Sequence, residues 1–243
     1  MIRYQTSNVT LYNTDCCDMP APDTKPSLIL TDPPFATGKT QSRVNGESYE
    51  DRESAQIVSE RIKLVCEKWF GPDTTLAVIC DYRLAYELVK TLTEFGLCLR
   101  GEIIWSFELG RGRSDWWANK HNHILTFTET ATSGKFYDKK VPRIKRKADS
   151  EGYPMDKPVG SVWQYTFNNT NSERVKYPNQ KPLRILRPFV RVHTDINDLV
   201  LDPFMGSGST GIAAIRDSRK FIGCDIKTEA VDIAIERIMP YDR

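Results

Sequence analysis

The segment Leu199-Val200-Leu201-Asp202-Pro203-Phe204-Met205-Gly206-Ser207-Gly208-Ser209-Thr210-Gly211 constrains the fold more than any other part of the chain. An apolar run enters a glycine turn, and a helix-like stretch carrying Ile212, Ala213 and Ile215 follows. A strand that passes straight into such a turn and a helix is a unit of an open α/β sheet. Backbone N–H groups at the helix start then face any ligand at the strand's carboxyl end. Gly206, Gly208 and Gly211 satisfy G-x-G-x-x-G, and Asp225 falls 19 residues past Gly206, near the spacing of a ribose-binding acid. Spacing alone fits a nicotinamide or flavin dinucleotide, so a dinucleotide-dependent oxidoreductase is the rival reading. Asp202 favours another ligand. Its charge would crowd a pyrophosphate that needs the helix N-terminus to itself, but it suits a ligand with an ammonium group and no phosphate. S-adenosylmethionine has that group, and a ribose for Asp225.

Short apolar runs alternate with amphipathic stretches along the rest of the chain, which predicts an α/β protein. Strands are expected at Val9–Tyr12, Leu28–Thr31, Leu76–Cys80, Glu102–Phe107, Asn122–Phe127, Leu199–Leu201 and Phe221–Cys224. Helical periodicity marks 54–69, where Val58, Ile62, Val65, Cys66 and Trp69 share a face, and 82–95, with Leu84, Leu88, Leu92 and Phe95. Residues 181–192 and 227–238 also read as helices, the first kinked or ended by Pro188. From 132 to 176 no period holds; prolines, glycines and polar residues predict an irregular insertion that carries substrate contacts.

Within it, residues 135–147 hold seven Lys or Arg against one Asp, although the chain's net charge is only +2. Such a cluster is the footprint expected for phosphate backbones, with a plain solvated loop as the alternative. No apolar run is long enough to cross a bilayer and the N-terminus has no signal-peptide pattern, so a cytoplasmic protein is expected. The six cysteines are scattered, without a C-x-x-C pair or a second half of a zinc pattern among the three histidines. Buried, inert thiols and no metal are the expectation.

A second motif, Thr31-Asp32-Pro33-Pro34-Phe35, follows the apolar run Ser27-Leu28-Ile29-Leu30. It places an acid, two prolines and an aromatic at a strand's carboxyl end, where open α/β sheets bind ligands. An exocyclic amine on a nucleobase is a poor nucleophile because its lone pair is delocalised into the ring. A carboxylate accepting one N–H, with a backbone carbonyl accepting the other, favours the positive charge that develops during attack. The Pro33-Pro34 unit stiffens the turn that presents its carbonyls, and Phe35 offers a stacking face for a flipped base. The plainer alternative is a turn that merely stops the strand. Gly38-Lys39-Thr40 is no phosphate-binding P-loop, since Pro33 stands where that motif needs glycine. No proline precedes a cysteine, so the Pro-Cys pair typical of methylation at a cytosine ring carbon is missing.

Together, TDPPF near the start and DPFMGSGST near the end resemble the S-adenosylmethionine-dependent amino-methyltransferases of DNA in their permuted, beta-group arrangement. Tyr12–Cys16 is similar to the family's segment before the catalytic strand, which implies that Asp15 and Cys16 border the cofactor adenine. Asp81–Phe107, Trp117–Phe127 and Tyr177–Pro182 also match, so the resemblance covers nearly the whole chain. It implies a catalytic half at 1–131, a short target-recognition insertion at 132–176 and a cofactor-binding half at 177–243. The implied fold is Rossmann-like: a doubly wound, mostly parallel seven-stranded sheet, circularly permuted, its last strand antiparallel and its termini neighbours in space. The implied catalytic residues are Asp32, Pro33, Pro34 and Phe35. The implied cofactor set is Asp15, Cys16, Lys181 (near the methionine carboxylate), Asp202, Phe204, Gly206, Gly208, Ser209, Thr210 and Asp225. Lys139, Lys140, Arg143, Lys145, Arg146 and Lys147 are the implied contacts to double-stranded DNA. Asp rather than Ser in the catalytic motif points to adenine N6, with cytosine N4 as the alternative; RNA is the other polymer on which flipping works. A silent nucleic-acid binding module would not need both motifs. The family usually has Tyr at Phe35 and often an acid at Asn122. Such enzymes serve restriction-modification, and a homodimer is an admissible state because dimers are frequent among similar proteins.

Overall fold

The computed structural model describes residues 1–35, 40–44, 47–50, 53–108, 116–145, 156–167, 172–175 and 177–242. Its strands are β1 (Ile2–Gln5), β2 (Val9–Asn13), β3 (Leu28–Thr31), β4 (Thr40–Val44), β5 (Glu47–Glu50), β6 (Thr75–Cys80), β7 (Cys98–Ser106), β8 (His121–Thr128), β9 (Arg143–Lys145), β10 (Asp156–Pro158), β11 (Val162–Gln164), β12 (Leu199–Asp202) and β13 (Lys220–Asp225). Its α-helices are α1 (Ala55–Trp69), α2 (Tyr82–Glu94), α3 (Leu183–His193), α4 (Ser209–Arg216) and α5 (Thr228–Ile238).

The main sheet has the order β1-β2-β13-β12-β3-β6-β8-β7-β11. It has nine strands where seven are expected from sequence. The seven anticipated strands form its uninterrupted inner run, and β1 and β11 add one strand at each edge. Neither addition shows in the sequence, because each is short and exposed and carries no buried period. The neighbours from β2 to β6 pair in parallel, while β8 is antiparallel to both β6 and β7.

Alternation along the central strands divides the core in two. Leu28, Leu30, Ala77, Ile79, Val200 and Phe221 pack with the buried faces of α3, α4 and α5. Ile29, Leu76, Val78, Leu201 and Cys224 pack with α1 and α2 on the opposite side. β3 and β6 are covered on both faces and buried at every position, and apart from Thr31 and Thr75 their residues are apolar. The chain ends meet: β2 lies beside β13, and Tyr4, Thr6 and Asn8 all donate to the Asp242 carboxylate.

Of the two effects expected of Pro188, a kink or an end, the second does not occur: α3 continues to His193. The carbonyl that Pro188 leaves without its helical donor belongs to exposed Arg184, and Leu186, Phe189, Val190 and Val192 remain packed in the core. The 132–176 segment is also less irregular than its composition suggests. It forms the β9–β10 hairpin and lends β11 to the sheet edge, where Val162, Trp163 and Gln164 align with Ile104, Trp105 and Ser106.

The glycine turn ahead of α4 is held from behind. Gly208 caps α4 with φ 75°, and a Cβ there would come within 2.9 Å of the Ala234 Cβ and 3.1 Å of the Ala234 Cα. Gly208→Ala should therefore lower stability by about 2–4 kcal/mol, from left-handed backbone plus overpacking against α5. A shift in the urea unfolding midpoint measures this; an unchanged midpoint would mean that α5 yields without cost.

Candidate active site

Two strands that leave in opposite directions meet at the middle of the sheet. β12 pairs with β3, aligning Leu201 with Ile29; the chain then moves outward to β13 from one and to β6 from the other. Such a reversal opens a crevice at the carboxyl ends of the strands. A cavity of about 320 Å³ lies there, lined by Asp32, Pro33, Pro34 and Phe35 from the end of β3 and by Asp202, Phe204, Gly206, Ser209 and Thr210 from the end of β12. Asp15, Cys16, Lys181 and Asp225 complete the walls. Both sequence motifs thus open onto one cleft. Of the residues expected to bind cofactor, only Gly208 does not line it, because its open face is turned toward α5.

Asp202 is buried at the base of the cleft. It accepts the Thr31 hydroxyl at 2.7 Å and the Phe204 N–H at 3.1 Å, and Thr210 donates to it as well. Burial nevertheless pushes its carboxyl up to about 7, with the negative charge of Asp32 adding to the effect and these hydrogen bonds opposing it. Asp225 closes the turn from the next strand. Its two oxygens accept the N–H groups of Gly206 at 3.0 Å and Lys227 at 2.9 Å, and burial raises its pKa too. Each oxygen keeps a second lone pair for a ligand hydroxyl. Arg237 of α5 donates to the carbonyl and hydroxyl of Ser207 and, at 3.2 Å, to the Ser209 hydroxyl, which fixes the turn further.

Asp32 lies on the other wall. Its Oδ2 contacts the Lys181 ammonium group, while its Oδ1 is buried and has no partner among the described residues. Burial raises the pKa of Asp32 and Lys181 opposes the rise. The same ammonium group donates to the Asn179 carbonyl at 3.0 Å and stands 5.1 Å from the centre of the Phe35 ring. At the far end Asp15 accepts the Cys17 N–H and pairs with Arg61, which also reaches Glu53 at 3.1 Å.

Sequence reasoning missed Arg61, the Lys181–Asp32 pair and the Thr31–Asp202 bond. Each joins residues far apart in the chain, and no local pattern announces them. All six cysteines are free; Cys17 and Cys98 are half-buried rather than buried. Burial raises the thiols of Cys66 and Cys224 to about 12. Asp15, Cys16 and Cys17 offer ligand atoms within 4.8 Å of one another, a grouping the spacing rules do not reveal.

The described part of the basic cluster lies outside the cavity and is less free than its composition implies. Lys135 pairs with Asp198 at 2.6 Å; Lys140 pairs with Asp195 at 3.1 Å and covers the Tyr137 ring at 3.7 Å. Lys140, expected on DNA, thus ties the insertion to the loop after α3, because two acids happen to face it there. Lys139 and Arg143 are exposed. The side chain of Lys145, and Arg146 and Lys147 altogether, lie outside the described residues. Among the described residues no helix is long and apolar enough to cross a membrane.

Comparisons with known proteins bear on the family and the fold. A family model described as DNA methylase matches residues 27–236. The chain is 26% identical over 252 residues to the type II methyltransferase M.BglII of Bacillus subtilis, covering 93% of this chain and 68% of that one. It is 26% identical to the type II methyltransferase M.HpaI of Haemophilus parainfluenzae, covering 87% and 67%. Among solved structures, PvuII DNA methyltransferase (cytosine-N4-specific) superposes with a TM-score of 0.73 at 22% identity, covering 96% of this chain and 87% of that one. The M1.HpyAVI–SAM complex superposes with a TM-score of 0.64 at 23% identity, covering 95% and 98%. At these identities the likeness is one of fold.

An acid whose pKa is raised by folding holds its proton more tightly folded than unfolded. Its contribution to stability is complete at low pH and is lost as the pH climbs from the ordinary carboxylate range toward 7. Asp202→Asn keeps an acceptor for Thr31 and Phe204 without the charge. At pH 8 it should exceed the wild type in stability by up to ~4 kcal/mol, a gain that shrinks toward pH 4. Urea unfolding at the two pH values measures this; parallel curves would mean that Asp202 ionises in the fold at no cost.

Proposed function

The chain belongs to the DNA methylase family, whose model spans residues 27–236, and from that premise we propose that it is an S-adenosylmethionine-dependent methyltransferase acting on N6 of adenine in double-stranded DNA. The observation that carries this reading is Asp32 Oδ1, buried and without a partner among the described residues, in the cleft that also holds Asp202 and the glycine turn. A buried acceptor without a donor is costly, and an incoming amine N–H relieves it. The residues of the second wall fit the cofactor. Asp202, whose proton affinity is raised by burial, suits an ammonium group, and Asp225 suits a ribose hydroxyl. Asp15 and Cys16 border the adenine end, and Phe204, Ser209 and Thr210 line the middle. The cofactor supplies an electrophilic methyl group on a sulfonium.

The chain's own residues supply the rest. Phe35, half-buried against the core, gives the flipped base a face to stack on, which offsets the few kcal/mol lost on leaving the duplex. Asp32 Oδ1 accepts one N–H of the target amine and the Pro33 carbonyl the other, so the nitrogen lone pair is turned toward the methyl group. Positive charge developing on the amine is stabilised by the Asp32 carboxylate in a site of low water content. Pro33 and Pro34 hold that acceptor pair in place as the base enters. The proton left on the methylated amine passes to solvent as the product departs.

The choice of adenine rests on Asp rather than Ser at position 32 in a motif that resembles the family's. Cytosine N4 is the second reading, favoured by the fold likeness to a cytosine-N4-specific enzyme. The type II relatives further support a role in site-specific modification alongside restriction. Exposed Lys139 and Arg143, with Lys145, Arg146 and Lys147, are proposed to contact the phosphate backbone, and the insertion to supply base recognition.

Two outcomes test this. Asp32→Ala should fold and bind cofactor yet transfer methyl groups on the order of 10²–10³-fold more slowly. Nucleoside mass spectrometry of DNA incubated with labelled cofactor should show N6-methyladenine; N4-methylcytosine would move the assignment to the second reading, and near-full activity of the variant would remove Asp32 from the mechanism. Separately, neutralising Lys145, Arg146 and Lys147 together should weaken DNA binding and reduce its logarithmic salt slope by about 2–3. An unchanged slope would make the cluster ordinary surface.

A further inference from the structure

Lys181 enters the cleft from the segment ahead of α3 and is itself buried, 8% exposed. Among the described residues its ammonium group has three contacts, Asp32 Oδ2, the Asn179 carbonyl and the face of Phe35. Two of these, Asp32 and Phe35, are what the target base needs on the reading above. In an empty cleft the arrangement is favourable, because the ammonium group offsets the burial of the Asp32 charge. During the reaction it is unfavourable. An amine attacking a sulfonium gains positive charge, so a neighbouring cation opposes the step, and it also stands over the ring face that the base would use.

We propose that Lys181 is a cofactor-operated latch: it holds Asp32 while the cleft is empty, and exchanges Asp32 for the carboxylate of S-adenosylmethionine when the cofactor binds. The inference rests on the methyltransferase reading and adds an order of events to it. Lys181 lines the same cavity as Asp202, Phe204 and Gly206, and its flexible four-carbon stem lets the ammonium group swing between the two walls. No bond is made or broken and no proton moves; one carboxylate replaces another on the same cation. The Asp32 carboxylate then loses its neighbouring cation, and the Phe35 face is cleared for the base, only once the methyl donor is in place. Productive capture of the base follows cofactor binding.

Competition for one cation makes Asp32 and the cofactor carboxylate antagonists, and such coupling is reciprocal. Calorimetric titration with S-adenosylhomocysteine reads it without turnover, since that ligand has the carboxylate but no methyl group to give. Asp32→Asn frees Lys181 and should tighten binding about fivefold or more. Lys181→Met should weaken it about tenfold or more. In Lys181→Met the Asp32→Asn step should then have no effect, whereas in Lys181→Arg, which keeps the cation, it should persist. Decarboxylated S-adenosylhomocysteine should bind the wild type and Asp32→Asn equally. Melting curves identify any variant that fails to fold, and the Arg background and the decarboxylated ligand then carry the comparison. An equal effect of Asp32→Asn in the wild-type and Lys181→Met backgrounds overturns the latch and leaves the methyltransferase reading intact. Absence of any S-adenosylhomocysteine binding by the wild type overturns both.

Discussion

Everything in the cleft depends on the parallel pairing of β3 with β12. That pairing brings two carboxylates, Asp32 and Asp202, to neighbouring strand ends, and the Thr31 hydroxyl bound to Asp202 at 2.7 Å joins the two walls directly. Two buried acids so close cannot both ionise at ordinary cost. The structure answers with different environments: Asp32 has a lysine, and Asp202 has only neutral donors. Lys181 opposes the rise that burial imposes on the Asp32 pKa, while the Asp202 carboxyl is pushed up to about 7. This division follows from geometry, and it fits one wall to an incoming amine and the other to a cationic ligand.

The surrounding scaffold serves that arrangement. Strands covered on both faces hold the ends of β3 and β12 rigidly, and the side chains around the glycine turn are fixed from behind by Ala234, Arg237 and Ile238 of α5. The insertion is integrated in the same way. Its β11 extends the sheet, Trp105 donates to the Tyr165 carbonyl at 2.8 Å, and Lys135 and Lys140 bind the acids that follow α3. A segment tied down at so many points can present a recognition surface in fixed relation to the cleft.

Much of this was legible in the residues. The seven inner strands follow from short apolar runs and four of the helices from helical periodicity, because burial against one or two layers imposes both directly; α4 follows from the glycine turn that opens it. The two motifs were recognisable because a strand–turn–helix needs glycine in set places and a stiff turn needs proline. What escaped has a common character. β1 and β11 are short edge strands whose exposed positions carry no period. Pro188 has the wrong local propensity for α3, and tertiary burial overrides it. The cationic cluster reads as free charge until the positions of Asp195 and Asp198 are known.

The sequence by itself determined the class of sheet, the two loops that bear chemistry and the residue types available to them, since all of these are constraints between near neighbours along the chain. Tertiary structure alone decided that the loops share one cavity, that Gly208 lies against α5 rather than on the cavity wall, and that Lys181 rests on Asp32. Those outcomes turn on which distant groups come within a few ångströms in a medium poor in water. Charge state and hydrogen-bond partner are set there, across gaps of 149 residues for Lys181 with Asp32 and 171 for Thr31 with Asp202.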